Sequence, residues 1–240
     1  MQVRLNKYIA QSGLASRRAA DRLITEGKIK VNGSVVRVLG HKIDPVRDRV
    51  EVDGRTIHPS EDRIYLMLHK PPGCLVTRKD PFQRPTVMDL LPPHASGAFP
   101  VGRLDLESEG LLLLTNDGEL AHRLMHPRYE VKKLYRIKVK GRPAEANLEA
   151  LRQGIHLYGK KTAPARIKAV SLGSRNSWFE VEIHEGRKRE IRRMFESQGH
   201  IVLVLKRLRF AGLSLGKLGS GCWRDLTGPE IRALKKLAGL

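Results

Sequence analysis

The sequence predicts an α+β protein in two units, a small N-terminal module and a larger domain built on a mixed sheet. Its 240 residues suit one large domain or a small module joined to a medium one. A pattern of two short helices followed by strands fills residues 3–57 and breaks at the polar stretch His58-Pro59-Ser60-Glu61-Asp62, which sets expected boundaries of 1–60 and 61–240. Beyond that stretch, strand-like apolar runs alternate with helical periodicity. With 40% hydrophobic and 29% charged residues, the chain has material for a core and lacks the signature of disorder.

In the module, Leu5, Tyr8 and Ile9 share a helical face and Gly13 ends the turn. Ser16 is placed to cap a second helix that runs through Ile24 and stops at Gly27. Asn32-Gly33 and Asp53-Gly54 each separate β-prone triplets, a strong signal for tight hairpins. In the larger domain, strands are expected at Ile64–Leu68, Leu111–Thr115, Tyr135–Val139 and Ile201–Leu205. Ser177–Ile183 alternates with period two and reads as a strand with one wet face. Helices are expected at Glu119–Met125, Ala144–Leu151, Lys188–Glu196 and Pro229–Leu237.

Forty-five Lys and Arg against 25 Asp and Glu give a net charge of +20, a field that attracts polyanions. The longest apolar runs, such as Leu111–Leu114, fall far short of the roughly 20 residues that cross a bilayer, so a membrane partner is not expected. The first residues interrupt their apolar content with Arg4, Asn6 and Lys7 and form no secretory core, which points to the cytoplasm. Cys74 and Cys222 are too few and too far apart for a thiolate metal cluster, and both read as reduced. His122 and His126 stand at i and i+4 without a third ligand in register, so no metal is expected.

The module alone carries 12 Lys and Arg against 6 Asp and Glu, and its second helix projects Arg17, Arg18 and Arg22. These are a solvated helix face or, given planar guanidinium forks and the charge of the whole molecule, contacts to nucleic-acid phosphates. In the larger domain, Phe99 to Gly118 places Arg103, Asp105, Glu107 and Glu109 in a Gly-bounded loop just before a four-leucine strand. A loop fixed to a rigid buried strand is a favoured seat for catalytic groups, although Arg103 and Asp105 could equally form a local ion pair. The residues alone leave both readings open.

RLNKYIAQSGLASRRAADRLITEGKIKVNG resembles the alpha-L RNA-binding module of ribosomal proteins. GRLDLESEGLLLLTNDGELAHRLMHP, KKLYRIKV and EGRKREIRRMFESQGH resemble, in order, three motifs of the ribosomal pseudouridine synthases that carry such a module. HKPPGCLVTRKDPFQRPTVMDLLP resembles the segment preceding them, so the likeness covers nearly the whole chain. It implies a catalytic domain on a mixed, largely antiparallel sheet, and an isomerase that detaches uracil at N1, turns it and rejoins it through C5.

The resemblance implies that Asp105 is the carboxylate acting on the target nucleoside, as nucleophile at C1′ or as base at C2′; either role needs its ionised form. Tyr135 matches the tyrosine that stacks on the base and helps remove the C5 proton, a task suited to an apolar face with a polar tip. Arg192 matches the basic residue that pairs with the catalytic acid, with Arg193 as the adjacent alternative. Ile191, Met194 and Phe195 should face the core, leaving Lys188 and Arg192 together on another side of one helix. Arg103 is expected to fill the gap left by the flipped base or to touch the RNA backbone. Arg187, Lys188 and Arg189, with Lys206, Arg207 and Arg209, are expected to line the RNA path. Glu190 departs from the family pattern, which often has an uncharged polar residue there.

No Walker loop or dinucleotide fingerprint is present, and isomerisation needs no redox or phosphoryl donor, so no cofactor is expected. The flanking VRLNKYIAQSGLASRRAAD and RKDPFQRPTVMDLLP resemble the large-subunit group more closely, which implies 23S rRNA or a pre-ribosomal particle as partner. The alternatives are a 16S rRNA enzyme and a non-catalytic ribosome-assembly factor. A glycoside or nucleoside hydrolase would want a second acid, which Glu107 or Glu109 could supply. Nothing in the sequence demands more than a monomer.

Overall fold

The computed structural model describes residues 2–59 and 62–240, so the expected boundary between residues 60 and 61 lies outside the described residues. The chain forms two compact units, Met1–Arg63 and Ile64–Leu240.

The first unit runs β1 (Val3–Arg4), α1 (Leu5–Gln11), α2 (Arg17–Thr25), β2 (Ile29–Val31), β3 (Ser34–Val35), β4 (Lys42–Ile43), β5 (Val50–Val52) and β6 (Arg55–Thr56). Leu5, Tyr8 and Ile9 of α1 meet Ala20 and Ile24 of α2 and the strand residues Ile29 and Val50 in one core. The Ser16 hydroxyl accepts from the Ala19 amide at 3.2 Å and so caps α2. Both hairpins form where the dipeptides place them: β2 pairs β3 and β5 pairs β6, each antiparallel. Asn32 and Gly33, like Asp53 and Gly54, take the left-handed backbone that such turns require.

The second unit continues with β7 (Tyr65–Lys70), β8 (Phe99–Val101), β9 (Glu109–Thr115), α3 (Gly118–Met125), β10 (Lys133–Lys140), α4 (Glu145–Gln153), β11 (His156–Leu157), β12 (Lys160–Lys161), β13 (Arg166–Leu172), β14 (Asn176–Ile183), α5 (Glu190–Glu196), β15 (Val202–Phe210), β16 (Leu213–Ser214), β17 (Trp223–Asp225) and α6 (Gly228–Ala238). Its sheet has the order β13-β14-β10-β15-β9-β7-β17, with β16 on β15 and β8 on β9. Every pairing is antiparallel except β15 with β9.

The four-leucine run is explained by that central position. Leu111 and Leu113 enter a core with α3 and α6, whereas Leu112 and Leu114 enter a second core on the opposite face with Val87, Ala95 and Ala98. β7 divides likewise, Tyr65 and Met67 to one side and Leu66 and Leu68 to the other. A strand covered on both faces has no polar side to show, so alternation disappears. A third core joins α4 and α5 to β10, β13, β14 and β15 through Leu148, Ile191, Phe195, Ile137 and Phe179. Each such fully buried side chain contributes roughly 1.5–3 kcal/mol.

Two expectations need correction. α5 starts at Glu190, not Lys188, because Arg189 sits at φ +54° in left-handed backbone and breaks the helical run. Lys188 and Arg192 therefore do not share a helix face. β13 escaped the sequence reading because it is an edge strand with only Ile167 buried, and so carries no apolar alternation.

Candidate active site

The GRLD residues follow β8 and precede β9, two strands paired antiparallel through Val101 and Leu113. Between them, residues 102–108 form a loop that the core holds from three sides. Leu104 is buried among the residues around β10 and α5. The Leu106 carbonyl accepts from the Gly73 amide at 2.9 Å. Most tellingly, Lys70 is 0% exposed, and its ammonium donates to the carbonyls of Pro71 (2.9 Å), Leu106 (3.1 Å) and Ser108 (2.8 Å). Three donors meeting three carbonyls is the full capacity of an ammonium. The last strand residue of β7 thus clamps the loop that carries Asp105. Burial lowers the Lys70 pKa, while Cys74, Glu107, Asp105 and Glu109 raise it.

Asp105 and Arg103 open onto a cleft of about 750 Å³, which Tyr135, Lys133, Arg207 and the loop 184–189 also line. Asp105 is half-buried and Arg103 exposed. Among the described residues, no hydrogen bond or ion pair within 4.0 Å occupies the Asp105 carboxylate, so the local pairing with Arg103 does not form. Tyr135 is 8% exposed, on the central strand β10 between β14 and β15, with its ring at the cleft. Glu107 and Glu109, the second acids a hydrolase would use, lie off the cleft; Glu109 faces Lys206 at 3.5 Å.

Arg192 does not touch Asp105. Its Nη1 donates to the Val202 carbonyl at 2.7 Å, while Nε and Nη2 are buried without a protein partner. Burial and Arg189 lower the Arg192 pKa, and the charges of Asp105 and Glu107 raise it. The two groups sense each other through space.

Arg207 is the larger departure from expectation. It is 2% exposed, its Nε donates to the Leu111 carbonyl at 2.7 Å, and its guanidinium lies 4.9 Å from the Phe210 ring centroid. It cannot serve as a surface phosphate contact. Because β15 runs parallel to β9, Arg207 stands opposite Gly110, and a Cβ there would lie 2.3 Å from the Arg207 carbonyl oxygen. Only glycine permits that approach.

Of six buried side-chain atoms without a protein partner among the described residues, four belong to Ser108, Arg192 and Arg207, beside Asp105. Each orphan costs about 1–3 kcal/mol, a concentration a purely structural site would avoid.

Arg187, expected on the RNA path, spends its guanidinium inside the molecule on Glu185 (2.9 Å) and the carbonyls of Lys160 (3.1 Å) and Lys161 (2.6 Å). It ties the loop to the β11–β12 hairpin. Lys188 and Arg189 remain exposed at the cleft, and Arg209 is exposed on β15. In the first unit Arg17, Arg18 and Arg22 are all exposed, with no side-chain partner among the described residues.

Glu190 is 4% exposed and its pKa is pushed up to about 8, first by burial and then by sharing a hydrogen bond with Glu185, whose own pKa is lowered. Burial first, and then the neighbouring Glu185, thus favour the neutral carboxyl at Glu190. Lys133 beside it, with its pKa lowered to about 8 mainly by burial and then by Arg207, donates to the carbonyls of Val131 and His184, each at 2.9 Å. Sequence reading gave Lys133, Lys70 and Glu185 no role. Only Lys70 left a signal, a cation closing an apolar strand.

A pinned acidic loop at a cationic cleft on a mixed sheet, with a separate basic helical module, defines an RNA-directed enzyme. Residues 64–197 match the model of the RNA pseudouridylate synthases and residues 3–50 that of the S4 domain, so this chain belongs to the RNA pseudouridylate synthase family. It is 47% identical to a Bacillus subtilis protein named ribosomal large subunit pseudouridine synthase B, across 98% of this chain and 96% of that one. A relative from Aquifex aeolicus, named an RNA pseudouridine synthase, is 44% identical across 100% of this chain and 96% of its own. A crystal structure of a pseudouridylate synthase superposes with a TM-score of 0.71 at 31% identity, covering 97% of this chain and 99% of that one.

Proposed function

We propose that this protein isomerises one uridine of ribosomal RNA, in the 23S molecule of the large subunit, to pseudouridine. The observation that carries the reading is Asp105, on a loop whose Leu106 and Ser108 carbonyls Lys70 holds, with its carboxylate open to a cleft that Tyr135 also lines. A flipped uridine entering that cleft would bring its ribose to Asp105 and its base to the Tyr135 ring. Flipping costs a few kcal/mol, which contacts between phosphates and Arg103, Lys188 and Arg189 offset. Asp105 acts on the sugar at C1′ or C2′, Tyr135 stacks on the freed uracil and helps remove the C5 proton, and Arg192 supports the carboxylate through space. The partnerless buried Nη2 of Arg207, a residue that lines the cleft, is available to a uracil carbonyl or to the carboxylate as it shifts.

The choice of 23S rRNA rests on the printed name of the Bacillus relative. The S4 domain, through Arg17, Arg18 and Arg22, holds the same rRNA, free or within an assembling particle, and the protein acts as a monomer in the cytoplasm. No helix among the described residues is long and apolar enough to cross a membrane. Mapping pseudouridine in both rRNAs from a deletion strain tests the reading. One 23S position should lose its modification and regain it from the wild-type gene but not from Asp105→Asn. A missing 16S position would reassign the substrate, and no missing position would sink the assignment.

A further inference from the structure

The β11–β12 hairpin turns on Tyr158-Gly159, with φ +52° and +75°. A two-residue turn with both angles positive favours Asn-Gly, and a bulky aromatic in left-handed backbone is strained there. Tyr158 is moreover 80% exposed, so its ring gives the fold almost nothing in return. Its one ring contact is the Arg193 guanidinium, 4.6 Å from the centroid. Beside the ring lies a hollow of about 350 Å³, walled by Leu157, Lys160, Arg187, Lys188, Glu190 and Arg193 and sharing Lys160, Arg187, Lys188 and Glu190 with the main cleft. Arg187 fastens the hairpin next to that cleft through the Lys160 and Lys161 carbonyls.

We propose that this hollow is a second nucleotide subsite, in which a base of the bound RNA flanking the target uridine stacks on Tyr158 while its phosphate meets Lys188 and Arg193. An aromatic platform with cations at its rim is what single-stranded RNA recognises, since every base offers a π-face and every linkage a charge. Arg193 behind the ring holds it upright and adds positive charge. The subsite thus fixes the strand on one side of the flipped uridine. This inference rests on the cleft being the uridine site.

The test compares Tyr158→Ala, Tyr158→Phe and Tyr158→Asn with the wild-type protein. Direct titration with a fluorescent single-stranded oligoribonucleotide, which needs no turnover, should show about ten-fold weaker binding for Ala and Asn and unchanged binding for Phe. Tyr158→Asn suits the turn, so its Tm should rise while its affinity falls, a split that a structural tyrosine would not give. In an rRNA fragment that the wild-type converts, an abasic site at one flanking position should raise KM about ten-fold for the wild-type and no further for Tyr158→Ala. Equal oligonucleotide affinity for Ala and the wild-type would overturn the subsite, as would additive losses in the abasic pair. Tyr158-dependent binding by a protein that forms no pseudouridine would overturn the proposed function and leave the subsite standing.

Discussion

The N-terminal unit and the cleft of the second unit are both basic, yet they hold their cations in opposite ways. Arg17, Arg18 and Arg22 stand exposed along α2 without side-chain partners among the described residues, whereas Lys70 and Arg207 are buried beside the cleft and bonded to backbone carbonyls. An exposed cation costs the fold little and attracts phosphate through a screened field. A buried one costs several kcal/mol to desolvate unless its donors are met, and in exchange it holds a loop in one place. The same charge thus stays open to solvent in one unit and fixes backbone position in the other.

The sharpest break between the two roles should come from Asp105→Asn. Turnover should fall by roughly a thousand-fold or more, at least about 4 kcal/mol in the barrier, while RNA affinity stays within two-fold. Pseudouridine yield and a binding titration on the same preparation check both halves; residual turnover within ten-fold of wild-type would remove Asp105 from the chemistry.

Next in size is Lys70→Met, which leaves the Pro71 and Ser108 carbonyls without a donor and Leu106 with the Gly73 amide alone, in a site closed to water. A loss of about 3 kcal/mol is expected, a Tm lower by roughly 6–12 °C, together with reduced kcat as the Asp105 loop loosens. Lys70 would prove dispensable if both quantities held.

The exposed arginines should behave differently under substitution. Replacing Arg17, Arg18 and Arg22 with Ala should leave Tm within about a degree, since surface positions change stability little. It should flatten the dependence of log affinity on log salt by about 2 to 3. An unchanged slope would show that α2 is a solvated face.

The test read through pH concerns Glu190. Its folded pKa of about 8 lies above the ordinary 4.5 it regains on unfolding. The stability it gives is complete below pH 4.5 and drains away as pH rises to 8, because the unfolded carboxyl ionises while the buried one still holds its proton. Glu190→Gln keeps a neutral group without that titration, so wild-type should lose Tm relative to the variant between pH 5 and pH 8. Parallel curves would mean that Glu190 is ionised in the folded protein.

Much of this was legible in advance because its signals are local. Caps and turns act within four residues, so Ser16, Asn32-Gly33 and Asp53-Gly54 declare their structures unaided. Ordered motifs brought Asp105 and Tyr135 to notice, and both line one cleft. Lys133 was not legible, because a lysine beside a motif tyrosine looks like any other lysine of a basic chain. Arg207 misled for the same reason: in Lys206-Arg207-Leu208-Arg209 its neighbours are partly or fully open to solvent, and only strand pairing decides which cation is turned inward.

By itself the sequence determined the α+β class, the basic character and the hairpins, each fixed by composition or by contacts short along the chain. Tertiary structure alone decided which charges are buried. The parallel pairing of β15 with β9 puts Arg207 against Gly110, the end of β7 brings Lys70 under a loop 36 residues away, and burial together with the nearby Glu185 raises the Glu190 pKa. A charge is set by what surrounds it in space, and those surroundings come from distant parts of the chain.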